Sequence, residues 1–257
     1  MFNGCSNLSS IEVDFAIWNE SINATTNWVS GVAAEGKFTK LENLSEIYNT
    51  SHIPTNWTLD EKIITDEVDY SALSAPLTFV GLAATNGVQL TKVGSPDAIT
   101  LQYNKNDTGW NDYTLNTIIN LASGDYLSFS GANARFSKTS GNFYKFVMTG
   151  QIQAKGNVQS LMNYSTSTTE YCFSQLFLSA SQLIEPPYLH ATAATTGCYC
   201  SMFAYCTSLQ HAPHLPAPVV GPSSYYAMFD RCSSMITGPE VLPAMTLASG
   251  CYWAIFR

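Results

Sequence analysis

Apolar side chains in the last third of the chain recur at a fixed phase. Tyr199, Met202, Phe203 and Cys206 stand at i, i+3, i+4 and i+7; Tyr225, Met228, Phe229 and Cys232 repeat the set, as do Phe173, Leu176, Phe177 and Ala180. That spacing puts the four side chains on one stripe of an α-helix and predicts a helix of about two turns in each copy. Helices so short are marginal in water and have to lie against their neighbours. Downstream, Leu209 to Leu215 reads as a short extended segment, with Pro216, Pro218 and Pro222 in a turn-rich return. Phe177, Phe203, Phe229 and Phe256 lie 26, 26 and 27 residues apart, and Pro187, Pro213 and Pro239 keep the 26-residue step, as do Leu183, Leu209 and Met235. A proline in one column of every copy cannot donate to a ladder, so it marks the end of each strand.

The middle of the chain has a different rhythm. Short alternating segments run at Leu77 to Gly81, Val88 to Val93, Ala98 to Tyr103, Thr117 to Leu121, Tyr126 to Ser130 and Phe143 to Met148. Turn residues separate them at Asn86-Gly87, Asn106 to Gly109, Gly124-Asp125 and Gly131 to Asn133. This predicts about seven antiparallel strands in a small, immunoglobulin-like β-sandwich. Helix, short strand and return in about 26 residues is instead the build of a leucine-rich-repeat solenoid. The expected core of that solenoid holds Met202, Phe203, Leu209, Met228, Phe229 and Met235. The predicted class is therefore α+β, with solenoid segments flanking the sandwich. Residues 1–66 form the end of one array and a linker, 67–150 the sandwich, and 151–257 a solenoid of three to four repeats. Within the first block, Ala24 to Trp28 starts a short helix, Gly31 to Phe38 is a final strand, and Asn56 to Thr65 is exit and linker.

The repeat core Met202-Phe-Ala-Tyr-Cys-Thr-Ser-Leu209, continued by Ala212-Pro-His-Leu-Pro-Ala217, resembles the BspA-like leucine-rich-repeat surface proteins of host-associated microbes. The likeness covers roughly residues 156–257, and Met1 to Leu8 matches the same core. It implies a non-enzymatic, surface-exposed role in adhesion or recognition, and sandwich inserts accompany the repeats in such proteins. Ala180 departs from the pattern where the other copies carry cysteine, and neither end shows a recognisable cap.

Composition narrows the classes. Charged residues make up 12% of the 257, and 19 acidic against 11 basic side chains give a net charge of −8. That is the wrong electrostatic footprint for nucleic acid. No apolar run approaches the ~18 residues of a membrane span, and the first residues carry neither a basic start nor an apolar stretch. The seven cysteines fall into repeat columns: Cys5, Cys206 and Cys232 in one, Cys172, Cys198 and Cys251 in another, with Cys200 outside both. Helices packed roughly 8–10 Å apart would hold column neighbours beyond disulfide reach, so reduced and mostly buried thiols are expected. Cys198-x-Cys200 lacks the ligand gap of a zinc site. His211 and His214 sit on a strand-to-turn segment and are read as structural or exposed. Asn104 to Trp110 has Leu115 where a calcium loop needs its glutamate, so it is read as a hairpin turn. Asp60-Glu61 is read as solvated surface. Asn-x-Ser/Thr triplets begin at Asn7, Asn19, Asn23, Asn43, Asn49, Asn56, Asn106 and Asn163, and discriminate nothing. No catalytic residue, metal or cofactor is expected.

The function these readings favour is cell-surface or extracellular recognition of a protein or glycan on a host cell or matrix. The binding positions are those that vary inside the repeated frame: Ile184, Glu185 and Tyr188, then Gln210, His211 and His214, then Ile236, Thr237 and Glu240. One alternative is a phage tail-fibre or other appendage protein that binds a host. Another is a glycan-binding or glycan-cleaving module with an aromatic platform of Tyr103, Trp110 and Tyr113.

Overall fold

Alternation along Leu77 to Gly81 carries through into the computed structural model, which describes residues 3–13, 27, 29–41, 44–62 and 74–257. The chain divides into two units, Met1–Val68 and Asp69–Arg257. In the first, β1 (Ser10–Glu12), β2 (Lys37–Leu41) and β3 (Thr58–Lys62) form a parallel sheet in that order, with Ile11, Phe38 and Leu59 in one register row. Trp57 closes its core and donates its indole N–H to the Ala33 carbonyl at 2.8 Å. Gly36 is required beneath that ring, since a Cβ there would lie 2.7 Å from it. Lys40, 1% exposed, is neutralised by Glu61 at 2.9 Å and Glu46 at 3.8 Å. The strand expected at Gly31 to Phe38 begins only at Lys37, and the expected linker at Asn56 to Thr65 contains β3. Apart from Asn27, the helix expected at 24–28 lies outside the described residues, as do Met1 and Phe2 of the opening repeat core.

In the second unit the strands are β4 (Leu77–Gly81), β5 (Asn86–Val93), β6 (Gln102–Lys105), β7 (Asn111–Asp112), β8 (Ile119–Leu121), β9 (Tyr126–Ser130), β10 (Ser137–Thr139), β11 (Asn142–Thr149), β12 (Ile152–Lys155) and β13 (Leu183–Glu185). They make a four-stranded sheet, β10-β11-β5-β8, and a six-stranded sheet, β13-β12-β4-β9-β6-β7. Phe79 and Phe129 from the larger sheet meet Phe146 from the smaller at centroid distances of 4.9 and 5.3 Å. The sandwich reading holds only in part. The larger sheet continues past residue 150, and its outermost strand, β13, pairs parallel with β12 from within the repeats.

The repeats overturn the α+β expectation. Among the described residues the protein is nearly all-β, no sheet forms a solenoid, and the one helical element lying wholly within them is a 3-10 turn at Val158–Leu161. Where two-turn helices were expected, the chain runs as successive turns. Every fourth residue has a left-handed backbone: Tyr171, Gln175 and Ser179; Gly197, Ser201 and Tyr205; Ser223, Ala227 and Arg231. Alternate amides bond three residues back, as Ala204 N–H does to Ser201 O at 3.2 Å. The amides between them donate to the next repeat: Phe177 to Met202 O at 2.9 Å, Phe203 to Met228 O at 3.0 Å, Phe229 to Ile255 O at 2.9 Å. A two-turn helix leaves most of its terminal backbone groups without partners. Stacked turns place half of the donors on a neighbour instead. The apolar stripe is buried as the spacing required, with Tyr199, Met202, Phe203 and Cys206 all fully enclosed. The stripe reports which side is buried and leaves the backbone path open.

Adjacent turn segments, here called tiers, are thus bonded at strand-like rather than helix-like spacing. Two ring columns run through them. Phe173, Tyr199, Tyr225 and Tyr252 stack at 6.0, 5.4 and 5.4 Å, and Phe177, Phe203, Phe229 and Phe256 at 5.2, 5.9 and 5.5 Å. Phe136 and Phe146 extend the columns into the sheets. Of the extended segments expected after each turn segment, only Leu183–Glu185 is a strand; His211 and Thr237 make an isolated parallel bridge. A separate parallel pair, β14 (Ala193–Ala194) and β15 (Val219–Val220), lies on the return. Leu209 is fully buried, whereas Met235 only packs against the edge of the core.

Candidate functional site

The nine expected binding positions fall into columns at the 26-residue step, and the structure joins two of these columns. The Gln210 amide donates to the Ile184 carbonyl at 2.9 Å, and the Ile236 amide to the Gln210 carbonyl at 2.7 Å. Beside them, His211 Nδ1 lies 2.8 Å from Thr237 Oγ1 and its Nε2 lies 3.6 Å from Glu185 Oε1. Glu185, His211 and Thr237 therefore form one polar line across three repeats. Tyr188, His214 and Glu240 make the third column. Tyr188 is exposed, and its backbone is fixed by donation to Gly156 O at 2.8 Å and acceptance from Val158 N–H at 3.1 Å. Ile236 is 72% exposed.

A groove of about 340 Å³ runs along the other side of these columns. Gln151, Ser181, Gln182, Ser208, Gln210 and Ser234 line it together with Gly150 and Ile184. Its polar walls are amides and hydroxyls without a formal charge, able both to donate and to accept. Of these residues, Ile184 and Gln210 belong to the expected set. Gln182, Ser208 and Ser234 were missed, although their signal is plain: each precedes a core column residue, Leu183, Leu209 or Met235, by one position.

No protein-family model, curated protein or solved structure matches this chain. Geometry alone therefore carries the functional reading.

The cysteines depart from the expected spacing. Cys172 and Cys198 bring their sulfurs to 3.2 Å, because their tiers are separated by backbone hydrogen bonds and not by packed helices. Cys206 and Cys232 donate to the carbonyls of Phe177 and Phe203, each at 3.1 Å. Burial pushes the Cys206 thiol well up and the Cys232 thiol to about 11, so neither is an activated nucleophile. Among the described residues, no group of three or more His, Cys, Asp or Glu is placed to hold a metal ion. No helix among them is long and apolar enough to cross a membrane.

The aromatic set of the glycan alternative does not form a flat surface. Tyr103 and Tyr113 meet edge-on at 87°, and the Tyr113 hydroxyl donates to Thr117 O at 2.7 Å while accepting from Leu90 N–H at 2.8 Å. Trp110 is exposed next to them. The Asn104 to Trp110 segment is a turn between β6 and β7, with left-handed backbone at Asn106, Asp107 and Gly109. The nearby carboxylates are engaged: Asp107 accepts from the Tyr126 hydroxyl at 2.7 Å. Asp125 is held down to about 2 by Lys105, the Ala122 amide and Asn106.

Proposed function

We propose that the chain is a non-enzymatic recognition module, displayed at a cell surface or outside the cell. Its partner is a protein or glycan on a host cell or matrix, lying along the polar groove and the columns that border it. The observation that carries this reading is the groove itself, which crosses successive repeats and offers neutral amides and hydroxyls at a regular step. An extended partner with repeating hydroxyl or peptide groups meets such a surface with several weak, matched hydrogen bonds. Tyr188 and Ile236 on the neighbouring columns add apolar contact area. The test is an array of glycans and host-matrix proteins probed with the purified chain and with a Tyr188→Ala, His211→Ala double variant. Binding by the native chain, lost in the variant at an unchanged melting temperature, is expected. Silence across the array, or undiminished binding by the folded variant, contradicts the reading.

A further inference from the structure

Cys172 and Cys198 occupy one column of adjacent tiers, both fully buried, with sulfurs 3.2 Å apart. Their tiers are locked in register on either side: the Tyr171 amide donates to Thr196 O and the Phe173 amide to Cys198 O, each at 2.9 Å. Backbones bonded in this way sit about 4.8 Å apart, inside the Cα range of about 4.4–6.8 Å that a disulfide spans. Closure to an S–S bond of about 2.05 Å asks roughly 1 Å of sulfur movement. Competing partners are absent from the column on the far side, where Ser224 follows Cys198. The thiols of Cys206 and Cys232 are committed to carbonyls.

We propose that Cys172 and Cys198 are a modification site, closing into a disulfide that staples two adjacent tiers. The oxidant is a small-molecule disulfide such as glutathione disulfide. One cysteine thiolate attacks it, forming a mixed disulfide and releasing one glutathione thiol. The second cysteine thiolate then displaces the other glutathione. Two protein thiols lose their protons and two electrons, one protein S–S bond forms, and the S–S bond of the oxidant becomes two thiols. Only a thiolate attacks, and burial raises the Cys198 thiol well above its ordinary range. Exchange therefore precedes closure of the tiers, and the finished bond is sheltered from reductant.

The test refolds reduced, denatured chain in a glutathione/glutathione disulfide couple, alkylates it and maps the folded fraction by peptide mass spectrometry. The expected map links Cys172 to Cys198. The melting midpoint is expected to exceed that of protein refolded under reductant by roughly 5–10 °C. Cys198→Ser, which places in this tier the side chain that Ser224 already brings to the column, is expected to fold and to lose both the link and the difference in midpoint. Alkylation of both cysteines in the folded fraction, or their linkage to other partners, overturns the proposal. So does a midpoint difference that survives in Cys198→Ser.

Discussion

The ring of Phe203 lies 5.2 Å from that of Phe177 with the two planes 1° apart. The same pair of tiers is joined by the Phe177 amide, which donates to the carbonyl of Met202, the residue before Phe203. One spacing thus serves two interactions, an aromatic stack and a backbone ladder. A period of 26 residues, 27 in the last step, brings each phenylalanine back over the one before.

Phe203 has a ring on both sides, and Phe203→Ala removes a fully buried side chain from the middle of the column. A loss of about 3–5 kcal/mol is expected. Phe256→Ala, at a ring that is 49% exposed, should cost clearly less. Urea unfolding of both variants checks the order; equal costs would contradict the column.

Tyr199 makes the opposite prediction. Its buried hydroxyl has the Cys198 thiol as a weak sulfur neighbour and no stronger hydrogen-bond partner, and Phe173 fills the same column one tier earlier without a hydroxyl. Tyr199→Phe is therefore expected to leave stability unchanged or raise it by up to about 1 kcal/mol. A drop in the melting temperature would show that the hydroxyl has a partner in solution.

Gly156 accepts one of the two backbone bonds that position Tyr188. Its φ is +68°, and an added Cβ would meet the Pro76 carbonyl oxygen. Gly156→Ala is expected to cost about 1–3 kcal/mol for the backbone alone, with the clash in addition. Thermal melting reads the loss, and a variant as stable as the native chain would refute the local geometry.

Alkaline pH should loosen the repeats. Cys232 is raised from 9.0 to about 11 in the folded chain, with burial as the leading cause. The folded state therefore keeps its proton where the unfolded chain has lost it. The stability this gives is fully present below pH 9 and drains away as pH rises through 11. Melting midpoints measured between pH 7.5 and 10.5 should fall from about pH 9 upward, and less so in Cys232→Ser. A native curve that stays flat, or one that Cys232→Ser reproduces, would contradict the assignment.

The period, the buried stripe and most β strands of the central region were legible from residue spacing. The backbone of the repeat was not. Burial at i, i+3, i+4 and i+7 is the same whether Tyr199 to Cys206 is helical or a run of turns. Several left-handed positions are occupied by Tyr171, Gln175, Tyr205 and Arg231, which carry no turn signature. Gly197 and Gly250, in the column of Tyr171, and Ser179, Ser201 and Ser223 were the only hints of it. The wrong backbone brought a wrong distance with it, and so Cys172 and Cys198 were placed too far apart. The alignment of the nine candidate positions into columns was legible from the 26-residue step. The groove was not, because Ser208 and Ser234 line it only when the tiers stack closely.

The measurement that bears most directly on the stacked-turn architecture is the NMR coupling across hydrogen bonds at the Phe203 amide nitrogen. A coupling to the carbonyl carbon of Met228, 25 residues ahead, is expected, since that bond is 3.0 Å long. A coupling from Phe203 to the carbonyl carbon of Tyr199, the helical partner four residues back, would contradict it.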